Sequence, residues 1–214
     1  RDAAPDAVVI AGDFVDLSPQ AAVRLARWRA ASCPVVALAA AGAGPALYEA
    51  GADAVLAPSV CIAELAARLR AMVLRVAGYD RPVLDFGSLT LDTAARQVRV
   101  AGRAVPLAPL EFALLETLVL AKGCVLSRVA LLDRLYGLDD APADSVVPIY
   151  VSQVRQKLEA AGGSPDCVVT LPGRGYMFDA GTACAAGAAT SPRPAARHSR
   201  DCDRLPVRRA TWGR

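Results

Sequence analysis

Between Asp144 and Phe178 the chain runs through one helix-period stretch and one strand-period stretch. Val147, Val151, Val154 and Leu158 recur at steps of four, three and four. That spacing lays a single apolar stripe along an α-helix. Ser145, Ser152, Gln153 and Gln156 fall on the opposite face, and Arg155 and Lys157 fall on the flanks. Glu159 is the only carboxylate between Ser145 and Ala161. Gly162-Gly163 then stops the helix. Cys167-Val-Val-Thr-Leu reads as a strand, Pro172-Gly-Arg-Gly as a tight turn and Tyr176-Met-Phe as the returning strand, a hairpin with Arg174 at its tip. A helix rich in hydrogen-bond donors beside an Arg-tipped hairpin has the parts of a DNA-reading pair. A major groove admits the helix, and a narrow minor groove attracts the arginine.

These residues resemble the recognition helix and wing of the OmpR/PhoB-type response-regulator DNA-binding domain. The resemblance rests on Val-Val-Pro-Ile-Tyr-Val-Ser-Gln-Val-Arg-Gln-Lys-Leu and Gly-Arg-Gly-Tyr-Met-Phe. It extends back through Val125-Leu-Ser-Arg, Leu110-Glu-Phe-Ala-Leu-Leu and Gly102-Arg-Ala-Val-Pro-Leu to Phe86-Gly-Ser-Leu-Thr-Leu-Asp. Each piece is weak alone, and their order and spacing together are specific. Val83 to Val105 reads as a small antiparallel sheet in which Leu89, Leu91, Val98 and Val100 alternate with polar neighbours. Helices are expected from Pro109 to about Ala121 and from Ser127 to about Tyr136. Ala108 stands where the family usually carries a Thr cap, a loss of about 1 kcal/mol. Pro148 is tolerable in the first helical turn, where backbone N–H groups lack partners within the helix.

Ahead of this region, residues 7–76 read as three strand–helix pairs. Short apolar strands alternating with helices argue for a parallel sheet. Pro5-Asp-Ala-Val-Val-Ile, Glu49-Ala-Gly-Ala-Asp and Glu64-Leu-Ala-Ala-Arg-Leu-Arg resemble the second half of a receiver domain. The resemblance implies five strands in a complete receiver, so the first two and the acidic pair that holds Mg²⁺ are missing from this stretch, which reads as a fragment beginning at Arg1. Such a remnant is expected to expose a sheet edge. The implied fold is a partial α/β (flavodoxin-like) receiver followed by an α+β winged helix-turn-helix domain. The expected divisions are 1–76 receiver, 77–82 linker, 83–180 winged helix and 181–214 a disordered tail. Ala, Gly, Pro, Ser and Arg dominate that tail.

By the same resemblance, the phosphoacceptor position falls on Ala11, the Thr/Ser position on Ala39 and the Lys position on Ala57. Phosphoryl transfer to a protein needs a carboxylate nucleophile, a metal and cationic charge stabilisation. Three methyl groups supply none of these. Asp13 is the local substitute carboxylate, and it also reads as an ordinary loop acid. The resemblance further implies dimers on tandem half-sites, paired through the receiver's last strand and helices. Asp53, Arg68 and Arg70 are the candidate residues of that face, with charges suited to reciprocal pairing across a twofold axis.

Composition narrows the function classes. The net charge of +3 is concentrated at the C-terminal end: residues 1–80 carry −1, residues 81–180 carry −1 and residues 181–214 carry +5. DNA affinity would therefore depend on local clustering of Arg and Lys and be sensitive to salt. The single His198 lies in the tail, and no phosphate-cradling Gly loop or Ser/His/Asp set is present, so an enzyme is not expected. Six Cys at 33, 61, 124, 167, 184 and 202, with no Cys-x-x-Cys, point to buried free thiols in a reducing cytoplasm rather than to zinc or a disulfide framework. No run of about 18 apolar residues occurs. No cofactor and no metal are expected.

The favoured function is a DNA-binding transcription regulator of the two-component type, independent of phosphorylation. It would read promoter direct repeats in double-stranded DNA through Ser152, Gln153, Arg155, Gln156, Lys157 and Arg174. A homodimer and RNA polymerase are its further partners. The alternatives are a conventional phosphorylated regulator using Asp13, or an interaction module that has lost DNA binding. The last draws on Ser152, Gln153 and Pro172, which stand where family members often carry Arg.

Overall fold

The computed structural model describes residues 5–12, 16–136 and 146–184, the side chain of Cys184 excepted. The chain divides into two compact units between Leu84 and Asp85.

In the first unit three short parallel strands, β1 (Val8–Ala11), β2 (Val35–Leu38) and β3 (Ala54–Leu56), lie in the order β1-β2-β3. Helices α1 (Pro19–Arg29) and α2 (Gly44–Glu49) connect them, and α3 (Ile62–Val76) follows. Ser18 starts α1: its hydroxyl accepts the Ala21 N–H at 3.2 Å, and Pro19 takes the first helical position. Alternation along the strands divides the core. Val35 and Ala37 pack with Val23 and Leu47 on one side, whereas Val36, Ala54 and Leu56 pack with Leu65, Leu69 and Met72 of α3 on the other. β1 is an edge strand, and its Val9 is 41% exposed.

An antiparallel sheet follows, ordered β4 (Val83–Phe86), β5 (Leu89–Asp92), β6 (Gln97–Val100) and β7 (Arg103–Val105); the division falls within β4, and the rest of the sheet belongs to the second unit. Leu89 pairs with Val100 and Leu91 with Val98, which puts the alternating apolar residues on one buried face. Next come α4 (Pro109–Leu120), α5 (Arg128–Tyr136) and α6 (Val146–Ala160), then a hairpin of β8 (Val168–Leu171) and β9 (Gly175–Phe178). α4 is the central helix, burying Phe112, Leu114, Leu115, Leu118 and Val119. Ala108 supplies no side-chain cap, but its own N–H donates to Glu111 Oε2 at 2.6 Å, which is half of a capping box. Phe86 meets Phe178 edge to face at 5.0 Å, joining β4 to the hairpin.

Two expectations are corrected. Disorder was expected from residue 181, yet Ala180–Cys184 forms a short helix, α7. Asp179 explains it: its carboxylate accepts the Gly181 N–H at 2.9 Å and the Thr182 hydroxyl at 2.9 Å, and buried Ala183 accepts a hydrogen bond from the Ser88 hydroxyl. The expected disorder over 185–214 lies outside the described residues. The cysteines are also not uniformly buried free thiols. Cys61 is exposed at the start of α3, Cys33 is half-buried, and Cys124 is disulfide-bonded. Among the described cysteines Cys167 alone fits the expectation: it is free and buried, and burial pushes its thiol up to about 11. Among the described residues no helix is long and apolar enough to cross a membrane.

Candidate nucleic-acid interface

Packing fixes the rotation of α6. Val147, Val151, Val154 and Leu158 are each no more than 1% exposed, and the helix lies against α4. Ser152, Gln153 and Gln156 are therefore turned outward and exposed together. Ile149, 53% exposed, joins them. Positions 149, 152, 153 and 156 follow the spacing of one helix face. Reading the sequence for periodicity passed over Ile149, because a single apolar residue off the buried stripe carries no periodic signal. Its spacing from Ser152 and Gln153 was the available clue.

Arg155 and Lys157 have partners inside the protein. Arg155 is half-buried; its Nε donates to the Val168 carbonyl at 3.0 Å and its Nη2 to the Thr170 hydroxyl at 2.8 Å, which ties α6 to β8. Lys157 Nζ donates to Glu111 Oε2 at 2.6 Å, which ties α6 to α4. Glu111 is 3% exposed, so the lysine compensates a carboxylate that would otherwise be buried with only one backbone donor. The six candidate DNA-binding residues thus separate into an outward set (Ser152, Gln153 and Gln156), two side chains that anchor the helix (Arg155 and Lys157), and Arg174.

Arg174 is exposed in the hairpin turn, where its backbone N–H donates to the Leu171 carbonyl at 3.0 Å. Gly175 makes this turn possible. Its φ is +138°, and a Cβ there would come within 2.0 Å of the Leu126 carbonyl oxygen. The close approach lets Leu126 and Tyr176 exchange two backbone hydrogen bonds, at 2.8 and 2.9 Å, which hold the hairpin against the strand-like segment before α5.

In the first unit Ala11 ends β1, Ala39 follows β2 and Ala57 follows β3. All three lie at the carboxyl end of the parallel sheet, the edge where open α/β sheets bind ligands. Asp13 lies outside the described residues. Asp53 is held within its own unit: Oδ2 accepts Arg27 Nη2 at 2.6 Å and the Val35 N–H at 2.7 Å. Arg68 pairs with Glu64 one turn earlier on α3 at 2.7 Å, and Arg70 is exposed on the same helix. The three candidate dimer residues are thus an internally occupied carboxylate, a locally paired arginine and an exposed arginine.

Residues 102–178 match the family described as "Transcriptional regulatory protein, C terminal". Over 115 residues the chain is 36% identical to the cell cycle response regulator CtrA of Brucella ovis, covering 54% of this chain and 50% of that protein. It is 34% identical to the RstA DNA-binding domain of Klebsiella pneumoniae, whose crystal structure holds the RstA box, covering 46% of this chain and 97% of that one with a TM-score of 0.41. Residues 102–178 thus carry the C-terminal domain of a transcriptional regulatory protein, and the sequence matches support an OmpR/PhoB-type response regulator. Response regulator DrrB of Thermotoga maritima, an OmpR/PhoB homologue, is 25% identical over 83% of this chain and 81% of its own, with a TM-score of 0.44. The chain spans about half the length of the curated relatives it matches.

Proposed function

We propose that this response regulator is a sequence-specific DNA-binding transcription regulator, not an enzyme, that reads a major groove with Ile149, Ser152, Gln153 and Gln156. The observation that carries the reading is that these four side chains form one exposed face of α6, while its opposite stripe is buried. Gln pairs bidentately with adenine, and an exposed isoleucine suits a thymine methyl group. Arg174 reaches an adjoining minor groove. Arg155 and Lys157 hold the helix in place and add positive charge near phosphates. We divide the chain as 1–76, 77–82, 83–184 with α7 closing the winged helix, and a tail from 185, and propose action in the cytoplasm on promoter direct repeats, as a homodimer that contacts RNA polymerase.

The regulator acts without phosphorylation of the described receiver residues. Ala11, Ala39 and Ala57 supply at those three positions none of the carboxylate, hydroxyl and ammonium that phosphoryl transfer requires. A pool of randomised duplexes, selected on the chain with and without beryllofluoride, tests both parts. One enriched sequence, bound equally in both conditions, is the expected result. Failure to enrich any sequence would leave the interaction-module alternative, and tighter binding with beryllofluoride would return the acceptor role to Asp13.

A further inference from the structure

Tyr136 is the last residue of α5, and Tyr150 lies in the first half of α6. Their hydroxyl oxygens are 2.7 Å apart, and both side chains are half-buried. The bond to Tyr150, followed by burial, pushes the Tyr136 hydroxyl up to about 12, so it keeps its proton under ordinary conditions.

The position of Tyr150 around the helix gives this bond its significance. At roughly 100° per residue, Tyr150 and Lys157 fall on one flank of α6 between the buried stripe and the exposed face, and Arg155 falls on the other. Lys157 reaches α4 and Arg155 reaches β8, and both hold the C-terminal half of the helix. Tyr150 ties the N-terminal half, the part that carries Ile149, Ser152 and Gln153. An apolar stripe is non-directional and tolerates small rotations. A hydroxyl pair at 2.7 Å is directional and resists them.

We propose that the Tyr136–Tyr150 hydroxyl pair is a positioning device that sets the rotation of the first half of α6, and thereby which base edges Ile149, Ser152 and Gln153 meet. The proposal rests on the DNA-binding reading above. Neither tyrosine needs to touch a base; each acts through the other.

The test uses the full chain, a duplex that the wild-type chain selects from a randomised pool, single-base variants of that duplex, and an unrelated duplex. Tyr136→Phe, Tyr150→Phe and the double variant should each lose about fivefold in discrimination between the selected duplex and its variants, the scale of one net hydrogen bond. The double variant should lose no more than either single one. Affinity for the unrelated duplex should not change. In the free chain, amide exchange over residues 151–154 should quicken in all three variants. Loss confined to Tyr150→Phe would mean that Tyr150 reads DNA itself, and would overturn the proposal. So would lowered thermal stability with discrimination intact, which is what a purely structural bond would give. A wild-type chain that enriches no duplex sinks the DNA-binding reading and the proposal with it. Enrichment that the Phe variants match sinks only the proposal.

Discussion

The Lys157 ammonium lies 2.6 Å from the Glu111 carboxylate, joining the C-terminal half of α6 to the first turn of α4. The carboxylate side chain is 4% exposed and the lysine side chain 37%. Removing the lysine leaves a buried charge without its partner, a loss of about 3–5 kcal/mol for a fully enclosed pair and less for one open to solvent on the lysine side. Lys157→Ala should therefore lower stability by about 1–3 kcal/mol, read as a shift in the urea midpoint. DNA affinity should fall on all sequences alike. An unmoved midpoint would show that the pair contributes nothing to folding.

Base reading divides differently. Gln153→Ala should relax preference at one base position, a discrimination of about 1–3 kcal/mol. Ile149→Ala should relax preference for thymine at a neighbouring position and leave binding to unrelated duplexes unchanged. Titrating each variant against a panel of single-base duplexes checks both. Uniform loss across the panel would assign these side chains to packing or phosphate contact.

The hairpin arginine makes a separate forecast. A-tracts narrow the minor groove and concentrate its negative potential. Arg174→Ala should thus lose most affinity on sites flanked by A-tracts. Equal loss on G·C-rich flanks would mean that Arg174 contacts phosphate alone.

Gly175 is constrained more tightly than any other glycine in the hairpin. A Cβ would come within 2.0 Å of the Leu126 carbonyl oxygen. Gly175→Ala should cost at least about 2 kcal/mol, through steric overlap and a disfavoured φ. Gly173→Ala meets no neighbouring atom within 4 Å and carries only the strain of φ +73°. Thermal melts of the two variants should rank Gly175→Ala well below Gly173→Ala.

Dimerisation is best tested on α3. Arg68→Glu with Arg70→Glu should leave binding to one half-site intact and abolish cooperativity between two, since tandem sites raise the local concentration of the first units. Asp53 is a poorer probe. Its carboxylate already holds Arg27 and the Val35 N–H, so its substitution would disturb the sheet as well as any interface. Unchanged cooperativity in the double variant would remove α3 from assembly.

Periodicity made much of this protein legible. The four-three-four spacing from Val147 to Leu158 specified which face of α6 is buried, because a helix that must bury one stripe has only one rotation available. Ser152, Gln153 and Gln156 followed as the outward set by subtraction. The alternation of Leu89, Leu91, Val98 and Val100 likewise specified the inner face of the antiparallel sheet.

Tertiary structure decided what the long side chains do. From sequence, Arg155 and Lys157 were cations flanking a donor-rich face, and nothing local distinguished them from phosphate contacts. Their partners lie far along the chain, the Val168 carbonyl for one and Glu111 for the other. Such contacts arise only when α4, α6 and β8 have packed together. The same holds for Tyr136 and Tyr150, separated by 14 residues and brought within 2.7 Å, and for Asp179, whose caps turn Ala180–Cys184 into a helix where composition argued for disorder. Hydrophobic burial acts through the repeat spacing of a single element and is written along the chain. Hydrogen bonds and ion pairs depend on distances between elements, which no local pattern records.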